Sequence, residues 1–258
     1  MSLQGKAAIV TGASRGIGRA IVRALANEGA SCVLCARNEQ RLASVERDIK
    51  EAGGDACSLS LDLRVPDAPS RLADFAMARY GRVDIVINNA GATRRGEFLE
   101  LSDEDFVDGF ALKYFGAVRL LRAAWPWLRD AGGSVVNIAG VGGRTPGASF
   151  AVGGSVNAAL LSLTKSLAAT GLSAGIQVNA VNPGAIRTER LEKRLAALAG
   201  ERNISLEAAE RLFIETEQVT RIGEPEDIAN LIVFVVSPEG RFLHGALIDA
   251  DGGATKTI

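Results

Sequence analysis

The sequence predicts an α/β fold: a Rossmann-type, doubly wound parallel sheet of about seven strands, with helices on both faces and a small helical lid. Three observations carry that expectation. Apolar runs of strand length alternate with amphipathic runs of helix length almost to the C-terminus. A glycine-rich turn joins the first strand to the first helix. The 258 residues, 47% of them hydrophobic, suffice to bury such a sheet as a single domain, and no repeat, linker or low-complexity tract divides them.

The elements follow in order. "KAAIVTGA", "SCVLCA", "ACSLSLDL", "VDIVINNA", "GSVVNIAG", "GIQVNAVNP" and "ALIDADGG" read as strands. Most are apolar throughout rather than alternating, because a parallel sheet is covered on both faces. Between them, "GIGRAIVRALANEG", "NEQRLASVERDIKEAGG" and "PDAPSRLADFAMARYG" read as helices, with Asn, Ser or Asp at several starts and Gly at the ends. "SDEDFVDGFALKYFGAVRLLRAAWPWLRDAGG" predicts one long helix from about Asp103 to Leu128. "AVGGSVNAALLSLTKSLA" predicts another from about Gly154 to Thr170. One segment breaks the rhythm: between Pro183 and Pro225 two charged, amphipathic helices follow each other with no strand between. Ser205 suits the N-cap of the second. Because the segment leaves a strand end directly, residues 187–222 are expected to form a lid over the substrate.

The charge balance, 29 basic against 30 acidic residues, argues against nucleic acid or an acidic membrane as the main partner. No apolar run approaches the ~18 residues of a membrane span. The N-terminus enters a strand pattern without a signal-type segment, so a cytoplasmic protein is expected. Cys32 and Cys35 have C-x-x-C spacing, but positions i and i+3 of a strand face opposite sides. They are read as small core residues, and no metal is expected.

In "TGASRGIGRAI", Gly12, Gly16 and Gly18 lie between the first strand and the first helix. Glycine lets backbone approach a pyrophosphate, and a helix N-terminus offers free N–H groups and a positive dipole end. Later come Asp62, "NNAG" at 88–91, Asn137, "NPGAIRT" at 182–188, "RIGEPEDIA" at 221–229 and "DGG" at 251–253. In this order and nearly end to end, the chain resembles the short-chain dehydrogenase/reductase family. The resemblance implies a nicotinamide dinucleotide held by Gly12, Ser14, Arg15, Gly16, Ile17 and Gly18. Asp62 and Leu63 would lie by the adenine and Asn89, Ala90 and Gly91 by its ribose. Asn157, Pro183, Gly184, Ile186 and Thr188 would lie toward the nicotinamide. An acid ending the second strand would grip the ribose of NAD; here Ala36 stands there, followed by Arg37. With Arg15, Arg37 suits a 2′-phosphate, so NADP(H) is expected over NAD(H).

The resemblance also raises a conflict. In the family a Tyr on the helix at 151–168 exchanges a proton with the substrate, a Lys four residues on supports it, and a Ser and an Asn complete the site. Those positions fall on Gly153, Asn157, Gly140 and Lys113, and no tyrosine follows Tyr114. Lysine and asparagine have in effect exchanged places, and both hydroxyl positions are glycine. The expectation is an atypical oxidoreductase acting on a small carbonyl or alcohol, with Lys113 as acid or base, Asn157 beside it, and a pocket enlarged over Gly153. The alternatives are a catalytically silent NADP(H)-binding protein, such as a sensor or partner subunit, and a lyase or isomerase using the enlarged pocket.

The remaining candidates are read as structural. Tyr114 is assigned to packing or an interface, Tyr80 to a surface turn and His244 to a loop or interface. Thr145 and Ser149 can bind substrate or be ordinary loop hydroxyls. Family resemblance implies a homodimer or homotetramer, with Phe106, Phe110, Tyr114, Leu161 and Leu167 as candidate contacts.

Overall fold

The computed structural model describes residues 1–257. Among them, seven strands form one parallel sheet: β1 (Ala7–Thr11), β2 (Ser31–Ala36), β3 (Ala56–Ser60), β4 (Ile85–Asn88), β5 (Ser134–Ile138), β6 (Gln177–Pro183) and β7 (Leu247–Ala250). Their order is β3-β2-β1-β4-β5-β6-β7. The chain winds outward from β1 to β3, then restarts at β4 on the other side of β1. Ligands bind at such a reversal, beyond the carboxyl ends of the strands.

The helices are α1 (Gly16–Asn27), α2 (Glu39–Glu51), α3 (Ala68–Tyr80), α4 (Asp103–Gly109), α5 (Gly116–Ala131), α6 (Ala151–Ala174), α7 (Glu189–Arg202), α8 (Leu206–Glu217) and α9 (Pro225–Val236). Two of them correct the sequence reading. The long helix expected from Asp103 to Leu128 is interrupted by a π-helical stretch, Phe110–Phe115, between α4 and α5. α6 is longer than expected, 24 residues ending at a left-handed Gly175.

Each face of the sheet carries its own core. Ile21, Leu25, Leu34, Ile87 and Ile232 pack on one side. Ile9, Val33, Leu72, Leu120 and Leu128 pack on the other. Cys32 belongs to the first cluster and Cys35 to the second, so the C-x-x-C thiols are on opposite faces, as strand geometry requires. Burial pushes both thiols up, Cys35 to about 12. No helix of the described residues is long and apolar enough to cross a membrane.

The segment between β6 and α9 forms the two expected helices, and Ser205 Oγ caps α8 by accepting from Ala208 N at 3.2 Å. This pair has a small core of its own, Leu191, Leu195, Phe213 and Ile222. A bridge between Ile186 and Gly223 pinches its base. There Arg187 is held by Glu192 at 3.1 Å, Glu210 at 2.7 Å and Glu224 at 3.0 Å.

Candidate active site

The phosphate-loop end of the cleft is made of backbone. Gly12 has φ +69°, a left-handed conformation that a side chain resists. A Cβ at Gly18 would overlap the carbonyl of Gly12, so only glycine lets the turn close. Helix α1 then starts with no side-chain cap and no acidic residue in its first turn. By contrast, Asn38 caps α2, and capping boxes close α4 and α9. Uncapped N–H groups and a positive dipole end, in a cradle that a Cβ would fill, fit a pyrophosphate.

Side-chain bonds weld this loop to β4. Asn89 Nδ2 donates to the carbonyls of Thr11 at 3.0 Å and Gly12 at 3.3 Å. Thr11 Oγ1 accepts from the backbone N–H groups of Asn89 and Ala90, both at 3.0 Å. Thr188 faces the loop as well, since a Cβ at Gly16 would stand 3.1 Å from its Cγ2. Beneath, Asn88 donates to Asn137 at 2.8 Å and Asn137 to Thr164 at 2.9 Å, joining β4, β5 and α6 through satisfied buried amides.

The basic residues at this end divide. Arg15 binds Glu189 of α7 at 2.7 Å, and Arg41 binds the same carboxylate at 2.9 Å. Arg37 lies 3.9 Å from Asp62, whose carboxylate also accepts from Arg64 at 3.2 Å. The structure therefore ties Arg15 to the helical pair rather than to Arg37, and adds Arg41, which the sequence reading missed. Leu63 is buried under Gly116.

At the other end the cleft is made of side chains. Lys113 lies in the π-helical stretch, a backbone device often found at functional sites. Its stem crosses Gly91, whose added Cβ would be 3.0 Å from Lys113 Cδ. Its Nζ donates to the carbonyl of Ala139 at 2.5 Å and to Asn157 Oδ1 at 2.6 Å. An ammonium has three N–H donors, so one is left for another acceptor. Burial, then the cation of Arg190, pushes Lys113 down to about 7. Arg190 itself donates to the carbonyl of Gly91 at 3.2 Å.

Asn157 is buried one turn beyond Gly153 on α6. Its Nδ2 faces Gly140, where a Cβ would stand 3.1 Å away. Gly140 has φ +120°, where a side chain is strained whatever the space. Its N–H donates to Asn182 Oδ1 at 3.3 Å, and Asn182 donates to Asp249 at 2.7 Å. Asp249 in turn holds Arg144 at 2.5 Å, anchoring the loop after β5.

The expected open space over Gly153 is absent. The ring of Phe150 fills it, so a Cβ at Gly153 would overlap ring carbons, and one at Gly142 would come within 2.6 Å of them. Gly154 is bare because Pro146 and the carbonyl of Gly142 press on it, at 2.8 and 3.0 Å from an added Cβ. These glycines let the loop after β5 lie directly on α6; they do not enlarge a pocket. The guanidinium of Arg95 covers the Phe150 ring, 4.0 Å from its centroid.

The remaining candidates sort simply. Tyr114 packs edge-on against Phe110 at 5.9 Å and Phe115 at 5.3 Å. Tyr80 ends α3 against the second core cluster rather than lying in a turn. His244 Nε2 is 2.7 Å from the carbonyl of Ala168. Thr145 Oγ1 donates to Val141 O at 3.4 Å, and Ser149 accepts from Gly96 N through its own carbonyl at 3.1 Å. Leu161 is 6% exposed, which removes it from the candidate interface. Phe150, Arg95 and Arg190 were not singled out from the sequence; the glycines at 142 and 153 were the one available sign of a ring packed between them.

Residues 12–255 match the family described as Enoyl-(Acyl carrier protein) reductase. An uncharacterized oxidoreductase of Mycobacterium tuberculosis is 38% identical, over 98% of this chain and 93% of its own. The L-sorbose reductase of Gluconobacter frateurii, solved with NADPH and L-sorbose, superposes with a TM-score of 0.96 at 31% identity, covering 100% of this chain and 99% of that one. A short-chain oxidoreductase of Pseudomonas aeruginosa PAO1, described as containing an atypical catalytic center, gives a TM-score of 0.93 at 27% identity over 100% of both chains. With its sheet order and its phosphate cradle, the chain belongs to the short-chain dehydrogenase/reductase family of NAD(P)-dependent oxidoreductases.

Proposed function

We propose that this protein is an NADP(H)-dependent oxidoreductase of small carbonyl or alcohol substrates in which Lys113, not a phenol, exchanges the proton. The observation that carries the reading is the placement of Lys113 Nζ between Ala139 O and Asn157 Oδ1, with its third N–H free. The bare cradle of Gly12, Gly16 and Gly18 would hold the pyrophosphate, with Asn89 to Gly91 along the adjoining ribose and Thr188 toward the nicotinamide. Arg15, Arg37 and Arg41 supply guanidinium groups for a 2′-phosphate. The sorbose reductase, solved with NADPH, is consistent with that preference.

Bound NADPH supplies the hydride. Lys113 gives its free proton to the carbonyl oxygen as that oxygen gains charge, and takes it back in alcohol oxidation. Asn157 holds the ammonium in place, doing for Lys113 what a lysine does for a tyrosine elsewhere in the family. Burial and Arg190 bring the proton affinity of Lys113 close to neutrality, where a group serves as both acid and base. The atypical center described for the Pseudomonas aeruginosa relative fits this reading. Gly140 and Gly153 serve packing, and with the space over Gly153 filled, a lyase or isomerase gains no enlarged pocket.

The pair α7–α8 acts as the lid, pinned to the phosphate loop through Glu189 and opening about the Ile186–Gly223 bridge. A cytoplasmic homodimer or homotetramer is proposed; Val107 and Phe115, 67% and 45% exposed, offer apolar surface along the α4–α5 region. The test is NADPH oxidation across a carbonyl panel, with Lys113→Met beside the native protein. Turnover lost in the variant supports the reading. NADPH binding without turnover of any carbonyl favours the silent alternative.

A further inference from the structure

Arginines of this chain are paired in most places. Arg94 binds Asp105 at 3.2 Å, Arg221 binds Asp227 at 2.7 Å, and Arg187 has three carboxylates. Among the described residues Arg47, Arg122, Arg202 and Arg211 also reach no carboxylate, but at the mouth of the cleft such arginines gather around one place. Among the described residues no salt bridge reaches Arg95 or Arg190, and Arg194 has only Glu217, at 3.8 Å. Arg190 and Arg194 stand four residues apart on α7, where like charges repel. Arg190 donates to the carbonyl of Gly91, in the segment that carries Arg95, at 3.2 Å. Beside burial, the charges of Arg194 and Arg190 weaken the hold of Arg95 on its proton, offset in part by Glu217.

These guanidiniums are nevertheless held in position. Arg95 lies on Phe150 at 4.0 Å and Arg194 on Phe213 at 5.3 Å. Stacking on a ring orients a guanidinium while leaving its in-plane N–H donors unused, the arrangement that receives an oxyanion in bidentate fashion. The loop carrying Arg95 is tied to the loop carrying Phe150 by the bond from Gly96 N to Ser149 O at 3.1 Å. Phe150 rests on Gly153, one turn of α6 from Asn157 and so from Lys113.

We propose that Arg95, with Arg194 of α7, binds a fixed oxyanion of the substrate, a carboxylate or a phosphate, so that the preferred substrates are anionic carbonyl compounds. Lys113 then meets the carbonyl, Arg95 the oxyanion, and an anion drawing Arg194 and Arg95 together closes α7 over the reaction. The inference rests on the oxidoreductase reading for the reaction but not for the binding site. Its test therefore measures both.

The probes are 4-formylbenzoate, 4-formylphenyl phosphate and the neutral methyl 4-formylbenzoate. Each is assayed as substrate with NADPH and, separately, titrated calorimetrically into the protein without cofactor. The expected result is a kcat/KM at least about tenfold higher for one anion than for the ester, the worth of one charge-assisted contact. Arg95→Gln should bring that ratio to within about threefold of unity, and Arg95→Lys should restore part of it. The better anion identifies the oxyanion. If no probe is reduced but an anion binds in an Arg95-dependent way, the anion site stands and the redox reading fails. Equal turnover of ester and anions overturns the proposal with the redox reading intact. Neither turnover nor Arg95-dependent binding overturns it as well, and thermal melts of Arg95→Gln identify any loss of fold.

Discussion

The two ends of the cleft are built by opposite means. The phosphate-loop end is backbone: Gly12 in a left-handed turn, Gly18 against the Gly12 carbonyl, and an uncapped α1. The reaction end is side chain: Lys113 from a π-helical stretch, Asn157 from α6, and Phe150 between two glycines. Backbone geometry tolerates few residue types, so the first end keeps its family pattern. A proton-transfer site asks for a group of suitable pKa in reach, which different residues can supply from different helices. On the function proposed above, the family pattern fixes where the cofactor goes more firmly than which atom carries the proton.

The most severe way to break this comparison is at Lys113. Lys113→Met should lower the rate of carbonyl reduction by about 10²–10⁴, the usual contribution of a positioned acid or base, while leaving NADPH affinity near native. Single-turnover measurements with NADPH bound separate the two. A rate within threefold of native would mean that Lys113 does not carry the proton and contributes only packing.

At the phosphate end, NADPH should bind about tenfold to a hundredfold more tightly than NADH, through Arg15, Arg37 and Arg41. Fluorescence titration of the two reduced cofactors checks this, and equal dissociation constants sink it. Substituting Arg37 should lower the preference without affecting Lys113.

Gly153→Tyr sharpens the correction made at the reaction end. The new side chain must displace the Phe150 ring, so thermal unfolding should show a loss of about 1–3 kcal/mol. Adding Phe150→Ala should recover part of it. An unaffected or stabilised single variant would mean that the space over Gly153 is open after all.

The smallest effect is on stability against pH. Lys113 sits at about 7 in the folded protein against 10.5 ordinarily. Below pH 7 both the folded and unfolded states hold its proton, and stability from this group is at its lowest and flat. From pH 7 toward 10.5 only the unfolded chain holds the proton, so stability rises with pH. The slope is at most about 1.4 kcal/mol per pH unit, and less because the Lys113 side chain is only half-buried. Urea melts at pH 7.0 and 8.5 should show this rise in the native protein relative to Lys113→Met. An identical pH dependence in the two would contradict it.

Much of the fold was legible in the sequence. Runs such as "AAIV" and "VDIVIN" are apolar on both faces, as only strands of a covered parallel sheet need be. The break at Phe110–Phe115 was not, because "FALKYF" contains no Gly or Pro to mark a change in helical register. The meeting of Lys113 and Asn157 was legible through the family pattern, which places both helices beside the cleft. The fate of the space over Gly153 was not, since nothing local says that Phe150 folds back onto it. Arg94 and Arg95 are adjacent and identical in sequence, and only the fold gives Arg94 a carboxylate and Arg95 an aromatic ring.

The central claim, that Lys113 holds the transferred proton, is tested most directly by the pH dependence of kcat for carbonyl reduction. Lys113 acts as an acid in that direction, so kcat should be level at low pH and fall about tenfold per pH unit above about 7. Alcohol oxidation should rise through the same midpoint. Arg190→Gln removes the neighbouring cation and should move the midpoint upward. A profile that stays level from pH 6 to 9, or a midpoint that persists in Lys113→Met, would contradict the account.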